Sequence, residues 1–366
     1  MAEYRAAVIG LGWMGMLYDM APRSDARFNV DDIDRPMPEI DVHQRIHHHE
    51  HPGDEGNPNS YCEALSDRPE TEIVAAVDRD KKRLDAFTQR YGIDATYTDA
   101  EQMLREVRPE IVAVATNTKH RADLTCLAVE CGAKGIVTEK PMAHSLEEVD
   151  RMVNTCAEAG VALSCGSIST THPSFAVAKR LLADGVIGKL MSIETPGVFA
   201  QHQNWSYFLD RLPSWVVGVG DLPRLESGSD EFKGDGFVWA DGVPVHFRHG
   251  APAVRLSGET GEMIFDFDKR WRLWKDISVD GVTGKCRAEV PWPDPNFSVP
   301  YGAVYCLDDV LQCLAGKLDE PKNSGRRVGI AFEVEVALKE SSARGGTQIH
   351  LPLPDRSLGL NYDWFR

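Results

Sequence analysis

The stretch AAVIGLGWMG, residues 6–15, indicates how the N-terminal half of this chain folds. It begins as an apolar run of strand type and continues with Gly10, Gly12 and Gly15 at the spacing G-x-G-x-x-G. Glycines at this spacing let the chain turn tightly, let its backbone approach a pyrophosphate, and let the next helix pack against the strand. The motif is weak on its own, because glycine turns are common after strands.

Three more apolar segments end in polar residues, and helical patterns separate them. The segments are EIVAAVDRD (72–80), IVAVATNTKH (111–120) and KGIVTEKPMA (134–143). Strands that alternate with helices predict a parallel, doubly wound sheet, whose ligands bind beyond the carboxyl ends of its strands. We therefore expect four strand ends to converge on one crevice. They carry the glycine loop, Asp78, Thr116–Asn117 and Glu139–Lys140.

Asp78, at the end of the second strand, bears on which dinucleotide binds. A carboxylate there can accept hydrogen bonds from both adenosine-ribose hydroxyls and repels a 2′-phosphate, which favours NAD over NADP. Arg79 leaves NADP open, because its guanidinium could stack on adenine or bind a 2′-phosphate. The alternative role for Asp78 is the N-cap of the following helix.

Composition excludes several classes of partner. The chain has 366 residues, 42% of them hydrophobic, and a formal net charge of −16 from 40 basic and 56 acidic side chains. That charge repels nucleic-acid backbones and anionic membrane surfaces, so neither is an expected partner. No apolar stretch is long enough to cross a bilayer. The eight cysteines form no C-x-x-C pair, which fits free thiols in a reducing cytoplasm.

Four segments together resemble the family of glucose-fructose oxidoreductase, inositol dehydrogenase and rhizopine-catabolism proteins (Gfo/Idh/MocA). They are GLGWMG, AAVDRD, ATNTKH and TEKP, and the similarity continues in FAVAKRLLADGVIGKLMSIE. The resemblance implies an α/β Rossmann dinucleotide-binding domain over residues 1–166 and an α+β substrate-binding domain over 167–366. The large, mostly antiparallel open sheet of the second domain commonly forms the oligomer interface in the family, so a homo-oligomer is expected.

The resemblance also implies an oxidoreductase that transfers hydride between NAD and a secondary hydroxyl of a small polyol, sugar, cyclitol or glycoside. Lys140, in TEKP, would contact the reacting oxygen, where an ammonium stabilises negative charge and a desolvated lysine can take the hydroxyl proton. The Lys140–Pro141 bond is often cis in the family, and the alternative for Lys140 is an ordinary surface lysine. His120 would reach the same crevice. The residues predicted to bind the cofactor are Gly10, Gly12, Trp13, Met14, Gly15, Asp78, Arg79, Thr116, Asn117, His120, Glu139 and Lys140.

The second domain departs from the family pattern. The family has an Asp and a His four residues apart on a helix, whereas the matching segment here, QHQNWSYFLDRL, has Gln203 and Tyr207. Tyr207 could relay a proton through its phenol, or His202 could replace the missing histidine; alternatively, Lys140 acts without them. The residues predicted to bind substrate are His172, Trp205 and Asp210. For His172 the alternative is an ordinary loop histidine.

About forty residues separate the glycine loop from the helix that precedes the second strand, which predicts an insertion at about 20–58 on the carboxyl side of the sheet. It contains HHHEH, residues 47–51, and is followed by a capping box of Ser60 and Glu63. A metal site is chemically feasible, but adjacent loop histidines point in different directions, so no metal is assigned. A polar lid or substrate-facing wall is the favoured interpretation, and a solvated loop is the other.

Two other functions stay open. Some relatives hold NAD tightly and act without net redox change, as glycosidases or isomerases that oxidise and later reduce the same sugar. The altered segment around Tyr207 also suits a catalytically inactive NAD-binding regulator, although the retained Glu139–Pro141 segment argues against it.

Overall fold

A computed structural model describes residues 3–20, 36, 38, 40, 58–166, 168–196, 204–220, 232, 234–266, 270–293 and 303–361. The chain divides into two compact units. The first unit comprises Met1–Ala143, Glu148–Thr171 and Pro300–Gly325, and the second comprises His144–Glu147, His172–Val299 and Arg326–Arg366. The segment HHHEH and His202 lie outside the described residues, so the predictions made for them stay predictions.

Strands and helices alternate in the first half of the chain, as the sequence patterns predict. The strands are β1 (Tyr4–Ile9), β2 (Thr71–Val77), β3 (Thr96–Tyr97), β4 (Ile111–Val114), β5 (Gly135–Thr138), β6 (Ala162–Cys165), β7 (Leu190–Thr195), β8 (Trp215–Val219), β9 (Asp235–Ala240), β10 (Val243–Phe247), β11 (Val254–Gly258), β12 (Gly261–Phe265), β13 (Trp271–Ser278), β14 (Lys285–Val290) and β15 (Ile349–His350). The α-helices are α1 (Tyr61–Asp67), α2 (Lys81–Tyr91), α3 (Ala100–Val107), α4 (Arg121–Glu130), α5 (Leu146–Glu158), α6 (Ile168–Thr171), α7 (Pro173–Ala183), α8 (Asn204–Leu209), α9 (Ala303–Leu314) and α10 (Gly325–Ala343). None of the helices in the described ranges is long and apolar enough to span a membrane.

The first unit is built on a six-stranded sheet in the order β3-β2-β1-β4-β5-β6, and every neighbouring pair is parallel. Strands β4 and β5 are buried along their whole length, as expected of a parallel sheet with both faces covered. The chain order reverses between β2 and β4 on either side of β1, and the glycine loop follows β1 at this switch point. The predicted α/β Rossmann fold is confirmed.

The second unit is built on a nine-stranded sheet in the order β14-β13-β12-β11-β7-β10-β9-β8-β15. Its neighbouring pairs are antiparallel except β7 with β10. The turn Asp241–Gly242 joins β9 to β10, and both residues have positive φ (46° and 92°), as a two-residue turn of type I′ requires. A Cβ on Gly236 would lie 2.8 Å from Leu338 of α10, so this helix covers one face closely. The predicted α+β unit with a mostly antiparallel sheet is confirmed.

Candidate active site

The three glycines of the loop after β1 have different surroundings. Gly10 has φ +94°, and a Cβ there would lie 2.7 Å from Ala115 O. A Cβ on Gly15 would lie 1.9 Å from Gly10 O, so the first and third glycines are required by the tight turn itself. At Gly12 a Cβ would meet, among the residues that the structure describes, only the Nη1 of Arg83, at 3.7 Å. The second glycine therefore leaves open space beside the backbone, as close approach of a pyrophosphate requires.

Asp78 turns towards the glycine loop. Its Oδ2 accepts a hydrogen bond from the Leu11 N–H at 2.7 Å, and its Oδ1 accepts one from the Asp80 N–H at 2.8 Å. Asp80 is the N-cap of α2 and accepts the N–H of Lys82. The alternative assignment of Asp78 as the helix cap is therefore wrong. Arg79 follows at an exposed position.

Arg121 joins the loops that follow β4 and β5. Its side chain is buried, and its guanidinium donates to Thr116 O and to Pro141 O. Burial lowers the pKa of Arg121 to about 10, partly offset by the nearby Glu139, so the group stays positively charged at neutral pH. Sequence analysis missed this residue, because an arginine at the start of a helix gives no sign that its side chain turns inward.

The loop after β4 carries two further predicted cofactor residues. Asn117 Oδ1 is buried and accepts no hydrogen bond from the residues that the structure describes, which makes it an available acceptor beyond the strand end. His120 closes the 3₁₀ turn Thr118–His120 and is the N-cap residue of α4, with its side chain exposed. His120 thus lies at the start of α4.

Glu139 and Lys140 follow β5, and Glu139 is buried. Glu139 Oε1 accepts a hydrogen bond from the Tyr61 hydroxyl at 2.5 Å, and its Oε2 accepts one from the backbone N–H of Lys140 at 3.3 Å. Burial raises the pKa of Glu139, while Lys140, Tyr61 and Arg121 act in the opposite direction. The Lys140–Pro141 peptide is cis, as the resemblance implies.

In the second unit, three basic side chains surround Asp210. Arg327 binds its carboxylate through Nε at 2.8 Å and Nη2 at 3.0 Å, Arg326 binds at 2.5 Å, and Lys179 Nζ binds at 3.1 Å. Burial opposes ionisation of Asp210, but these cations outweigh it and hold the pKa of that carboxyl well below its usual range. Two of them also lie against the Tyr207 ring, with Lys179 Nζ 4.3 Å and Arg327 Cζ 5.3 Å from its centroid.

The other residues predicted for the second unit are buried within it. His172 is the N-cap of α7, where its Nδ1 accepts the Ser174 N–H at 3.1 Å. Trp205 is 1% exposed and packs edge-to-face on Phe247, with ring centroids 5.6 Å apart. Within the described ranges no three His, Cys, Asp or Glu side chains are grouped to hold a metal ion.

Comparison with known proteins agrees with this geometry. Residues 58–167 match the model of the GFO_IDH_MocA family, described as an oxidoreductase family with an NAD-binding Rossmann fold. The chain is similar to D-apiose dehydrogenase of Paraburkholderia graminis, with 35% identity over 129 residues that cover 35% of this chain and 34% of that protein. It is similar to scyllo-inositol 2-dehydrogenase (NAD(+)) of Bacillus subtilis, with 31% identity over 121 residues that cover 33% of this chain and 35% of that protein.

A solved oxidoreductase from Agrobacterium radiobacter, in complex with NAD+, L-tartaric acid and magnesium, has the same fold. The TM-score is 0.63 at 16% identity, covering 95% of this chain and 98% of that chain. The sequence matches span about a third of the length of the two curated relatives. The match of residues 58–167 to the Gfo/Idh/MocA family confirms the resemblance that the sequence segments indicate.

Proposed function

We propose that this protein is an NAD-dependent dehydrogenase that transfers hydride between a secondary hydroxyl of a sugar, cyclitol or glycoside and the nicotinamide. One observation carries the proposal: the glycine loop, Asp78, Asn117 and Glu139–Lys140 follow four strands of one parallel sheet, at the edge where ligands bind. The relatives that act on a sugar and on a cyclitol support the reaction class.

The residues at this edge fit NAD. Gly12 leaves room for the pyrophosphate, and Asp78 presents a carboxylate that can accept ribose hydroxyls while repelling a 2′-phosphate. Asn117 Oδ1 offers a buried acceptor that the described residues leave unused. Trp13, Met14, Thr116 and His120 are proposed to complete the cofactor site. When bound, NAD supplies the acceptor for the hydride.

Lys140 is the proposed catalytic residue. As hydride leaves a carbinol carbon, its hydroxyl proton must be withdrawn, and a lysine beside that oxygen can take the proton and stabilise the developing negative charge. Glu139 and the buried Arg121 hold the strand end that carries this lysine. In the reverse direction the ammonium of Lys140 would return the proton to the new hydroxyl.

The roles assigned to the second unit are also proposals. Tyr207 is proposed as a second proton-carrying or hydrogen-bonding group, with His202 as the alternative, and His172, Trp205 and Asp210 as residues that shape the substrate side. Residues 166–167 are the proposed domain boundary, although the first compact unit continues to Thr171 and also includes Pro300–Gly325. A homo-oligomer through the open sheet is supported by a row of partly exposed aromatic rings, Trp215, Phe237 and Trp239. The eight free cysteines support a cytoplasmic location.

The test is a panel of polyols, sugars and glycosides assayed with NAD+ and with NADP+, following the absorbance of the reduced nicotinamide. We expect turnover with NAD+ and at least one cyclic polyol or sugar. Lys140→Ala should lower kcat by about 100-fold or more, the range of general acid–base catalysis, with little change in NAD affinity. Lys134→Ala is the matched control, because this exposed lysine pairs with Glu110 at the other end of β5. Turnover of Lys140→Ala at the wild-type rate would refute the catalytic assignment.

The same panel separates the other functions. A redox-neutral glycosidase or isomerase would form product without accumulating NADH. A regulator would bind NAD stoichiometrically and convert no member of the panel.

A further inference from the structure

The hydroxyl of Tyr61 reaches the strand end that carries Lys140. Tyr61 is 0% exposed, and its Oη donates to Glu139 Oε1 at 2.5 Å and to Thr138 O at 3.3 Å. Burial and the neighbouring Glu139 raise the pKa of Tyr61 well above its ordinary value. The phenol therefore keeps its proton, and Tyr61 is the donor in this hydrogen bond.

Glu139 links that hydroxyl to Lys140. One carboxylate oxygen accepts from Tyr61, the other accepts from the backbone N–H of Lys140, and the charge of the Lys140 side chain favours the ionised carboxylate. The ionisable groups that face Glu139 come from several elements: Tyr61 of α1, Arg121 of α4, Lys140 after β5, Cys165 of β6 and Cys306 of α9. Burial disfavours the carboxylate, whereas Lys140, the Tyr61 hydroxyl and Arg121 favour it. The Tyr61 hydroxyl thus helps to keep Glu139, the neighbour of Lys140, in its negatively charged form.

Asp19 fixes the start of the helix that carries Tyr61. Asp19 Oδ2 accepts from the N–H of Ser60 at 2.7 Å and from its hydroxyl at 2.5 Å, while Oδ1 accepts the Asn59 N–H at 3.0 Å. Ser60 is the N-cap of α1 and Tyr61 is the first residue of that helix. Residues on the two sides of the insertion are therefore tied together immediately next to Tyr61.

We propose that Tyr61 is a positioning residue that acts on Lys140 through Glu139: its hydrogen bond keeps a carboxylate beside the lysine and so stabilises the ammonium form. The inference rests on the proposed function, in which Lys140 exchanges the hydroxyl proton. A negative neighbour favours the charged form of a lysine, and weakening that neighbour favours the neutral amine. Loss of the Tyr61 hydroxyl therefore releases the Lys140 proton at lower pH.

Tyr61→Phe tests this inference, since it removes the hydroxyl and keeps the ring in the core. Competitive acetylation of Lys140 with acetic anhydride, quantified by mass spectrometry across a pH series without cofactor or substrate, follows the titration of this lysine. We expect the labelling midpoint to fall by about half a pH unit or more, a part of the effect of one hydrogen bond to a charged group. The acid limb of kcat/KM for alcohol oxidation should move in the same direction.

Tyr91→Phe is the matched control, because it removes a hydroxyl that donates to Glu63 Oε1 at 2.7 Å in the same unit. It should leave the Lys140 midpoint unchanged. Glu139→Gln removes the charge directly and should lower the midpoint at least as far, with no further fall when Tyr61→Phe is added. It also provides the test if Tyr61→Phe does not fold.

An unchanged midpoint in folded Tyr61→Phe, or an equal fall in Tyr91→Phe, overturns the inference. If Tyr61→Phe does not fold, an unchanged midpoint in Glu139→Gln overturns it. Labelling needs no turnover, so this result is distinct from the outcome of the substrate panel. A protein without dehydrogenase activity would fail the panel, and its labelling midpoints would still show whether Tyr61 acts on Lys140.

Discussion

Replacing Asp19 by Asn should change how the stability of the protein depends on pH. Asp19 is 8% exposed, and burial, aided by the nearby Glu63, raises the pKa of its carboxyl from 3.8 to about 6 despite the hydrogen bonds from Ser60 and Asn59. In the unfolded chain the carboxyl titrates near 3.8. Between these two values the folded protein holds a proton that the unfolded chain has lost, so the free energy of unfolding falls as pH rises.

The size of the effect follows from the two pKa values. At about 1.4 kcal/mol per pKa unit, the rise from 3.8 to about 6 corresponds to about 3 kcal/mol. The unfolded carboxyl is already ionised at pH 5. Measurements from pH 5 upwards therefore detect only the fraction of this free energy that is lost between pH 5 and the folded pKa of about 6. We expect about 1.5 kcal/mol there. Asp19→Asn cannot ionise and should lack this component.

The assay is urea unfolding of both proteins at pH 5.0 and pH 7.5, followed by circular dichroism. When the pH is lowered from 7.5 to 5.0, the free energy of unfolding of the wild type should rise by about 1.5 kcal/mol relative to that of Asp19→Asn. Asp99→Asn is the control, because Asp99 caps α3 at an exposed position, and its pH slope should match the wild type. If the free energies of unfolding of the wild type and Asp19→Asn differ by the same amount at both pH values, the reasoning is refuted.

Three further substitutions test the glycine loop and the second unit. Gly15→Ala should abolish NAD binding and lower the thermal midpoint of unfolding, because its Cβ would lie 1.9 Å from Gly10 O. Gly12→Ala should fold normally and lose NAD affinity by about 10-fold or more. NADH fluorescence titration beside thermal unfolding separates these outcomes, and equal NAD affinity in Gly12→Ala and wild type would contradict the pyrophosphate assignment. Asp210→Asn removes a carboxylate whose pKa is lowered by its basic neighbours, so the wild type should be more stable than this variant at pH 7. That difference in stability should shrink as the pH falls below 3.8, the ordinary pKa of an aspartate carboxyl. Unfolding curves at pH 7 and pH 3 measure it, and a difference that does not depend on pH would contradict the ion-pair account.

Much of the fold could be predicted because its causes are local. Apolar runs followed by polar residues locate β1, β2, β4 and β5, and the spacing of the glycines follows from the turn after β1. The Asp241–Gly242 turn and the Ser60 cap are equally local, since each depends on the backbone conformation of one or two residues. The parallel order of the first sheet follows from the alternation of strands with helices.

The candidate site was predictable where it lies at strand ends, and not where it depends on side chains from other segments. Asp78 and Lys140 stand at positions that the alternation of elements specifies. Tyr61 and Arg121 carry no such sign, because a tyrosine at a helix start and an arginine in a polar segment are ordinary at the surface. Their roles appear only when the loops after β4 and β5 are brought against α1 and α4.

The sequence by itself determined the two kinds of sheet, the glycine turn and the strand ends at which the cofactor is proposed to bind. Only the tertiary structure decided that Asp19 binds Ser60, that Tyr61 binds Glu139, and that Asp210 is surrounded by three basic side chains. The physical reason is the range of the forces involved. Strand and turn preferences act between neighbours in the chain, whereas a buried carboxylate binds whatever donors the packing of distant segments brings within 3 Å.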